Sequence, residues 1–298
     1  MPRLRCPVAP RTLRPMVKPT PSFDLYGTGV PAGPVVLSVP HAGREYPLAM
    51  RAALRVPPEA LVALEDRHVD ALALAARGDE AMIVQRRARA WIDLNRSEQE
   101  RDPAIDSGVS AKSLPTASAK LRGGLGLIPR RTASTGEIWR RKLDGEEVTA
   151  RIVCDHRPYH EALDAMLAAA RARFGVAVLL DVHSMPSLGT GQARLVIGDR
   201  FGRAAPARMV ARIEAEAEAA GVPFALNVPY PGGHIIDTHA NPARGIFAVQ
   251  LEFDRGLYLD AALDRPGDGL TATATLLKRI IAALADESLP RPSAVAAE

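Results

Sequence analysis

The stretch VAVLLDVHS, residues 176–184, decides the reading of the chain. Its first seven residues are apolar apart from Asp181 and follow directly on Gly175. A short apolar run bounded by a glycine reads as a strand buried on both faces. Such strands belong to sheets covered by helices on both sides. Working outward, PVVLSV (34–39), MIVQ (82–85), AWIDL (90–94), ARLVIGD (193–199) and GIFAVQLEF (245–253) have the same character. Between them lie helical segments. Residues 58–77 carry Leu61, Leu64, Val69 and Leu72 at near-helical spacing and stop at Gly78. Residues 159–174 close at Gly175, 204–220 end at Gly221, and 269–287 precede a Pro-rich tail. Strands alternating with helices from 34 to 287 predict one α/β domain over residues 31–290. Residues 1–30, rich in Arg and Pro, are expected to form a poorly ordered arm. Residues 97–136 read as a long loop, of the kind that is functional or mobile.

Composition excludes several functions. The net charge of +4 is small, and part of it lies in the first eighteen residues. With aromatics at 4%, no basic and aromatic face for nucleic acid is expected. No run approaches a membrane span, and the N-terminus lacks the apolar core of a secretory signal. Cys6 and Cys154 form no CxxC pair and read as free thiols of a reducing, cytoplasmic compartment. The expected partner is a small-molecule substrate; the sequence is silent on oligomers.

Polar residues gather where the strands end. His41 follows PVVLSVP, Asn95 and Arg96 follow AWIDL, His183 follows VAVLLDV, and Glu252 ends FAVQL. In open α/β sheets, ligands bind outside the carboxyl ends of the strands. Two imidazoles and one carboxylate are a common ligand set for catalytic zinc, which leaves a position for water. His41 and His183 supply the imidazoles, and either Asp66 or Glu45 the carboxylate. Glu252, not bound to metal, is the candidate general base.

Seven segments together resemble the N-formylglutamate amidohydrolase family. They are SVPHAGREYP (38–47), EDRHVDALA (65–73), WIDLNR (91–96), GEIW (136–139), RPYHEAL (157–163), LDVHS (180–184) and AVQLEFDRGLYLD (248–260). The resemblance covers roughly residues 33–285. It implies a relationship to zinc carboxypeptidases, and with it a three-layer α/β fold whose mixed, eight-stranded central sheet is flanked by helices. It also implies one zinc ion on His41, a carboxylate and His183, with Glu252 as base. Asp66 is preferred to Glu45, because its local segment is similar to the family's and Glu45 sits one residue too far from His41. His68 then orients a ligand. Asn95 and Arg96 grip the substrate's α-carboxylate, since a guanidinium matches a carboxylate bidentately.

One segment departs from the pattern. In PGGHIIDTHANPARG (231–245), His234 and Asp237 stand where a Tyr and an Arg are typical. Both are candidate substrate-binding residues, and the Asp reverses a charge. The implied activity is zinc-dependent hydrolysis of an N-acyl amino acid, N-formylglutamate above all. Hydrolysis of another amide, or non-catalytic binding of a metal or small molecule, stand as alternatives.

Overall fold

The computed structural model describes residues 21–27, 29–110, 112, 118–132 and 134–289. Its strands in chain order are β1 (Phe23–Tyr26), β2 (Val35–Val39), β3 (Ala81–Gln85), the short pair β4 (Arg131–Thr132) and β5 (Gly136–Glu137), β6 (Ala177–Met185), β7 (Leu195–Gly198), β8 (Phe224–Leu226) and β9 (Ile246–Asp254). The helices are α1 (Leu48–Ala53), α2 (Val69–Ala76), α3 (Ala119–Arg122), α4 (Gly145–Arg151), α5 (Arg157–Phe174), α6 (Ala207–Ala219), α7 (His234–His239) and α8 (Leu270–Ser288). One π turn, Ile152–His156, joins α4 to α5.

The main sheet runs β1-β3-β2-β6-β9-β7-β8. β3, β2, β6 and β9 are mutually parallel; β1 is antiparallel to β3 and β7 to β9. The mixed sheet between helical layers agrees with the expected class. The strand count is corrected from eight to seven among the described residues.

Side-chain alternation explains both the core and the site. Side chains two apart share one face of a strand. Leu37, Leu180, Val182, Val249 and Leu251 pack with α2, α6 and α8 on one face. Val36, Ile83, Leu179 and Ala248 pack on the other, under α5 with α1 and α4. Along this second face the residue type changes toward the carboxyl ends. Val36 gives way to Ser38, Leu179 to Asp181 and His183, and Ala248 to Gln250 and Glu252. Apolar residues fix the near half of the face, and polar ones open a site at the far half.

Three segments differ from the sequence reading. Residues 58–77 are not one helix: a 3-10 stretch, Pro58–Leu64, ends at Glu65, and α2 starts only at Val69. His68 takes the left-handed conformation, φ 55°. The break turns Asp66 inward, where its carboxylate meets two histidines. AWIDL is a series of turns rather than a strand. Asp93 Oδ1 there accepts from the Asn95 amide at 2.9 Å, which competes with sheet pairing. Within the supposed arm, Phe23–Tyr26 is an edge strand, and buried Phe23 meets Tyr159 edge-on at 5.8 Å. The rest of the arm up to residue 20, Cys6 included, lies outside the described residues. Cys154 is exposed and unpaired. No helix among the described residues is long and apolar enough to cross a membrane.

Candidate metal centre and active site

The register places the chemistry. Ser38 lies beside Asp181 on β2 and β6, and His183 beside Glu252 on β6 and β9. His41 follows β2, and the turn holding Asp66 is tied to it by an Asp66 N–H bond to the His41 carbonyl at 3.0 Å.

Each histidine is held by a carboxylate on its far side. His41 Nε2 donates to Asp93 Oδ1 at 2.7 Å, and His183 Nε2 donates to Asp181 Oδ2 at 2.8 Å. Both buried acids are themselves anchored. Asp93 accepts from Arg89 Nε at 2.8 Å, and Asp181 from Ser38 Oγ at 2.7 Å. The near nitrogens converge on one oxygen: Asp66 Oδ2 is 2.9 Å from His183 Nδ1 and 3.6 Å from His41 Nδ1. Carboxylates behind imidazoles fix the tautomer and raise ligand basicity, as around bound metals.

His41, Asp66 and His183 each present one ligand atom within 4.8 Å of the others, all buried. His41 Nδ1 is buried and has no hydrogen-bond partner among the described residues, a costly state unless something binds it. Burial opposes charge on His183, but Asp181 and Asp66 outweigh it and hold the ring well above its ordinary pKa. Burial likewise opposes the Asp66 carboxylate, and the pull of His183 and His41 outweighs it, lowering its pKa. A proton on His183 Nδ1 thus sits where a cation is wanted. Two nitrogens and one oxygen in this arrangement fit a zinc-like divalent ion.

Glu252 is buried beside these groups, and Gln250 Nε2 donates to its Oε1 at 2.8 Å. Burial raises its pKa to about 7, with Asp66 adding to the rise against the pull of His183. A carboxyl near neutrality can both take and give a proton.

A cavity of ≈ 230 Å³ opens over the cluster. Besides the acids it is lined by four cations, Arg89, Arg96, Lys120 and Arg255. Arg96 Nε donates to the Leu125 carbonyl at 2.8 Å, which fixes its guanidinium. Arg255 lies 3.7 Å from Asp66. Lys120 has no carboxylate partner among the described residues, and its amine lies 5.6 Å from the Tyr230 ring centroid. Burial lowers its pKa, as do the charges of Arg96 and Arg89.

The expected residues fall into two groups. His41, Asp66, His183, Glu252, Asn95 and Arg96 come together at the cavity. Asn95 has a building role there: its Oδ1 accepts from the Ile235 amide at 2.8 Å. A Cβ on Gly233 would lie 2.3 Å from that oxygen, so only glycine lets the loop pack so closely. Glu45 is elsewhere, 56% exposed and bonded to Arg86 at 3.1 Å, so it is no alternative to Asp66. His68 meets the Asp264 carbonyl at 3.0 Å, outside the cavity lining. Asp237 pairs with Arg200 at 2.7 Å and is 54% exposed, outside the cavity lining. His234 lines a different cavity. Asp93, Arg89, Lys120, Gln250 and Arg255 also belong to the site, although no sequence motif singles them out. Gln250 was within reach, two residues before Glu252 on the same strand face.

The chain matches the model of a family described as N-formylglutamate amidohydrolase over residues 33–259. It is 31% identical to an N-formylglutamate deformylase of Pseudomonas putida over 260 residues, 84% of this chain and 92% of that protein. A Pseudomonas aeruginosa protein of the same name is 27% identical, with the same coverage. Among solved structures, the N-formylglutamate amidohydrolase of Ralstonia eutropha JMP134 superposes with a TM-score of 0.79 at 32% identity, over 90% of this chain and 98% of that one. A match covering most of the residues that build the sheet and the cavity shows that the chain belongs to the N-formylglutamate amidohydrolase family.

Proposed function

We propose that this enzyme hydrolyses N-formyl-L-glutamate to formate and glutamate, using one zinc or similar divalent ion held by His41, Asp66 and His183. The observation that carries the reading is the convergence of the buried His41 Nδ1, Asp66 Oδ2 and His183 Nδ1 beside Glu252, inside a cation-lined cavity. When bound there, such an ion supplies Lewis acidity toward the formyl carbonyl and acidifies a water.

The chain's own groups account for the rest. Glu252 takes the proton of the attacking water as its oxygen joins the formyl carbon. It returns that proton to the nitrogen as the C–N bond breaks, so the leaving group departs as an amine. Asp93 and Asp181 keep the two imidazoles oriented throughout. N-formylglutamate carries two carboxylates, and Arg96, Lys120 and Arg255 supply charges to meet them. Arg96 is assigned the α-carboxylate. Asp237, paired with Arg200 away from the cavity, gives no ground for a substrate of opposite charge.

The test is release of formate from N-formyl-L-glutamate, N-formyl-L-leucine and N-acetyl-L-glutamate by zinc-loaded protein. The expected result is the highest kcat/KM on formylglutamate. Equal or better turnover of the leucine compound would overturn the assignment of the cationic lining.

A further inference from the structure

We infer that His156, His160 and His234 form a second metal site, for a borderline divalent ion such as Zn²⁺, apart from the catalytic cavity. The three rings line their own cavity of ≈ 290 Å³ together with Glu98, Glu161 and Asp164. One nitrogen from each ring lies within 4.8 Å of the others.

The hydrogen bonds decide which nitrogen of each ring can face an ion. His156 Nε2 is 2.8 Å from the Arg96 carbonyl, and His160 Nε2 is 3.0 Å from the Leu94 carbonyl. A carbonyl oxygen only accepts, so each Nε2 carries the hydrogen and each Nδ1 keeps a lone pair. Donation of the far N–H to a backbone carbonyl is a usual way of orienting a metal-bound imidazole. His156 and His160 are four residues apart where the π turn enters α5, with ring centroids 4.4 Å apart. His234 opens α7 from the other side, 5.4 Å from His160. Its two nitrogens both face the single Thr238 hydroxyl, at 3.2 and 3.3 Å, so the ring is not committed to another partner by either.

With each Nε2 hydrogen committed to a backbone carbonyl, His156 and His160 meet an ion as neutral ligands. Of the three acids, Glu98 is held by Arg157 at 2.8 Å. His160 Nδ1 lies 2.8 Å from His239 Nε2, and His239 Nδ1 donates to Asp164 at 2.6 Å, so a proton is shared between the two rings; a bound ion takes the His160 lone pair and releases that proton to solvent, while His239 keeps Asp164. Tetrahedral zinc holds its nitrogens roughly 3.4 Å apart, so side-chain rotations closing up to about 1.4 Å complete the site. Three imidazoles select Zn²⁺, Ni²⁺ or Cu²⁺ over Mg²⁺ or Ca²⁺. The segment Leu94–Arg96 offers its carbonyls to these rings and the Asn95 and Arg96 side chains to the catalytic cavity, so an ion here stiffens the substrate clamp.

The test counts zinc. Chelator-stripped protein is loaded with Zn²⁺, dialysed and measured by plasma mass spectrometry. Two ions per chain are expected in the wild type, one in His41→Ala, one in His234→Ala and none in the double variant. A single wild-type ion that His41→Ala removes would overturn the second site, as would a second ion that neither His234→Ala nor His156→Gln releases. A count lowered by His234→Ala but not by His41→Ala keeps this site and removes the catalytic assignment instead. Anomalous scattering from zinc-loaded wild-type crystals decides without any variant: a peak among the three rings supports the site, and a peak only at His41, Asp66 and His183 contradicts it.

Discussion

Two histidine clusters lie on either side of one segment, Leu94–Arg96, and they are built differently. At the ends of β2 and β6, His41 and His183 are backed by buried carboxylates, Asp93 and Asp181. At the start of α5, His156 and His160 are backed by backbone carbonyls. A carboxylate puts a full charge behind the ring and makes its near nitrogen a strong donor, while a carbonyl fixes the tautomer with only a dipole. The first cluster also has Glu252 within its cavity, positioned to move a proton. The second has no buried carboxylate in its lining; Asp164 is 69% exposed. The difference lies in the buried acids, which back the rings and stand ready to move a proton at the first cluster and are missing from the lining of the second.

The largest effect expected from this contrast is at Glu252. Glu252→Gln keeps the shape and the zinc but cannot accept the water's proton, so kcat should fall about 10²- to 10⁴-fold. Steady-state kinetics beside a zinc count checks it. Near-normal turnover with zinc retained would assign the base elsewhere.

Asp93→Asn tests the carboxylate backing directly, because it gives His41 an amide partner closer to the carbonyls of the second cluster. Metal affinity or activity should drop roughly 10- to 100-fold. Competition with a chromophoric chelator measures it. An unchanged affinity would mean that the backing charge is irrelevant and the two clusters are equivalent.

A smaller change is expected in the cationic lining. Lys120→Met should raise KM for N-formylglutamate roughly tenfold, the loss of one charged hydrogen bond, with kcat little altered. KM for N-formyl-leucine should barely move. An equal rise for both substrates would indicate a general packing role.

Least of all is expected at Asp237. Asp237→Arg breaks an exposed pair with Arg200, an interaction of little energy, and the ratio of kcat/KM between the two substrates should stay within about twofold, as for surface changes. A shift toward glutamate would bring the residue back into the site.

Much of the fold was legible because the central strands are largely apolar. VAVLLDV, FAVQL and PVVLSV cannot be exposed, and their polar endings fall on one face by alternation alone. The helix break at Glu65–His68 was not legible, because Leu61, Leu64, Val69 and Leu72 keep near-helical spacing across it. What ends the first segment is tertiary: Asp66 is held by two histidines from distant strands. Asp93 is illegible for a similar reason. In WIDLNR it looks like the polar position of an alternating strand, and only the fold brings His41 against it. Asp237, where the resemblance implies an Arg, stands out in the sequence, yet it pairs with Arg200, 37 positions earlier, outside the cavity lining.

Everything proposed for the catalysis depends on His41, Asp66 and His183 carrying a metal that hydrolysis requires. The most direct measurement follows formate release from N-formyl-L-glutamate by chelator-stripped wild-type and His41→Ala protein as Zn²⁺ is added back. Stripping should abolish wild-type turnover, zinc should restore it, and zinc should fail to restore the variant. Full turnover by protein verified free of metal, or full rescue of His41→Ala by zinc, would contradict it.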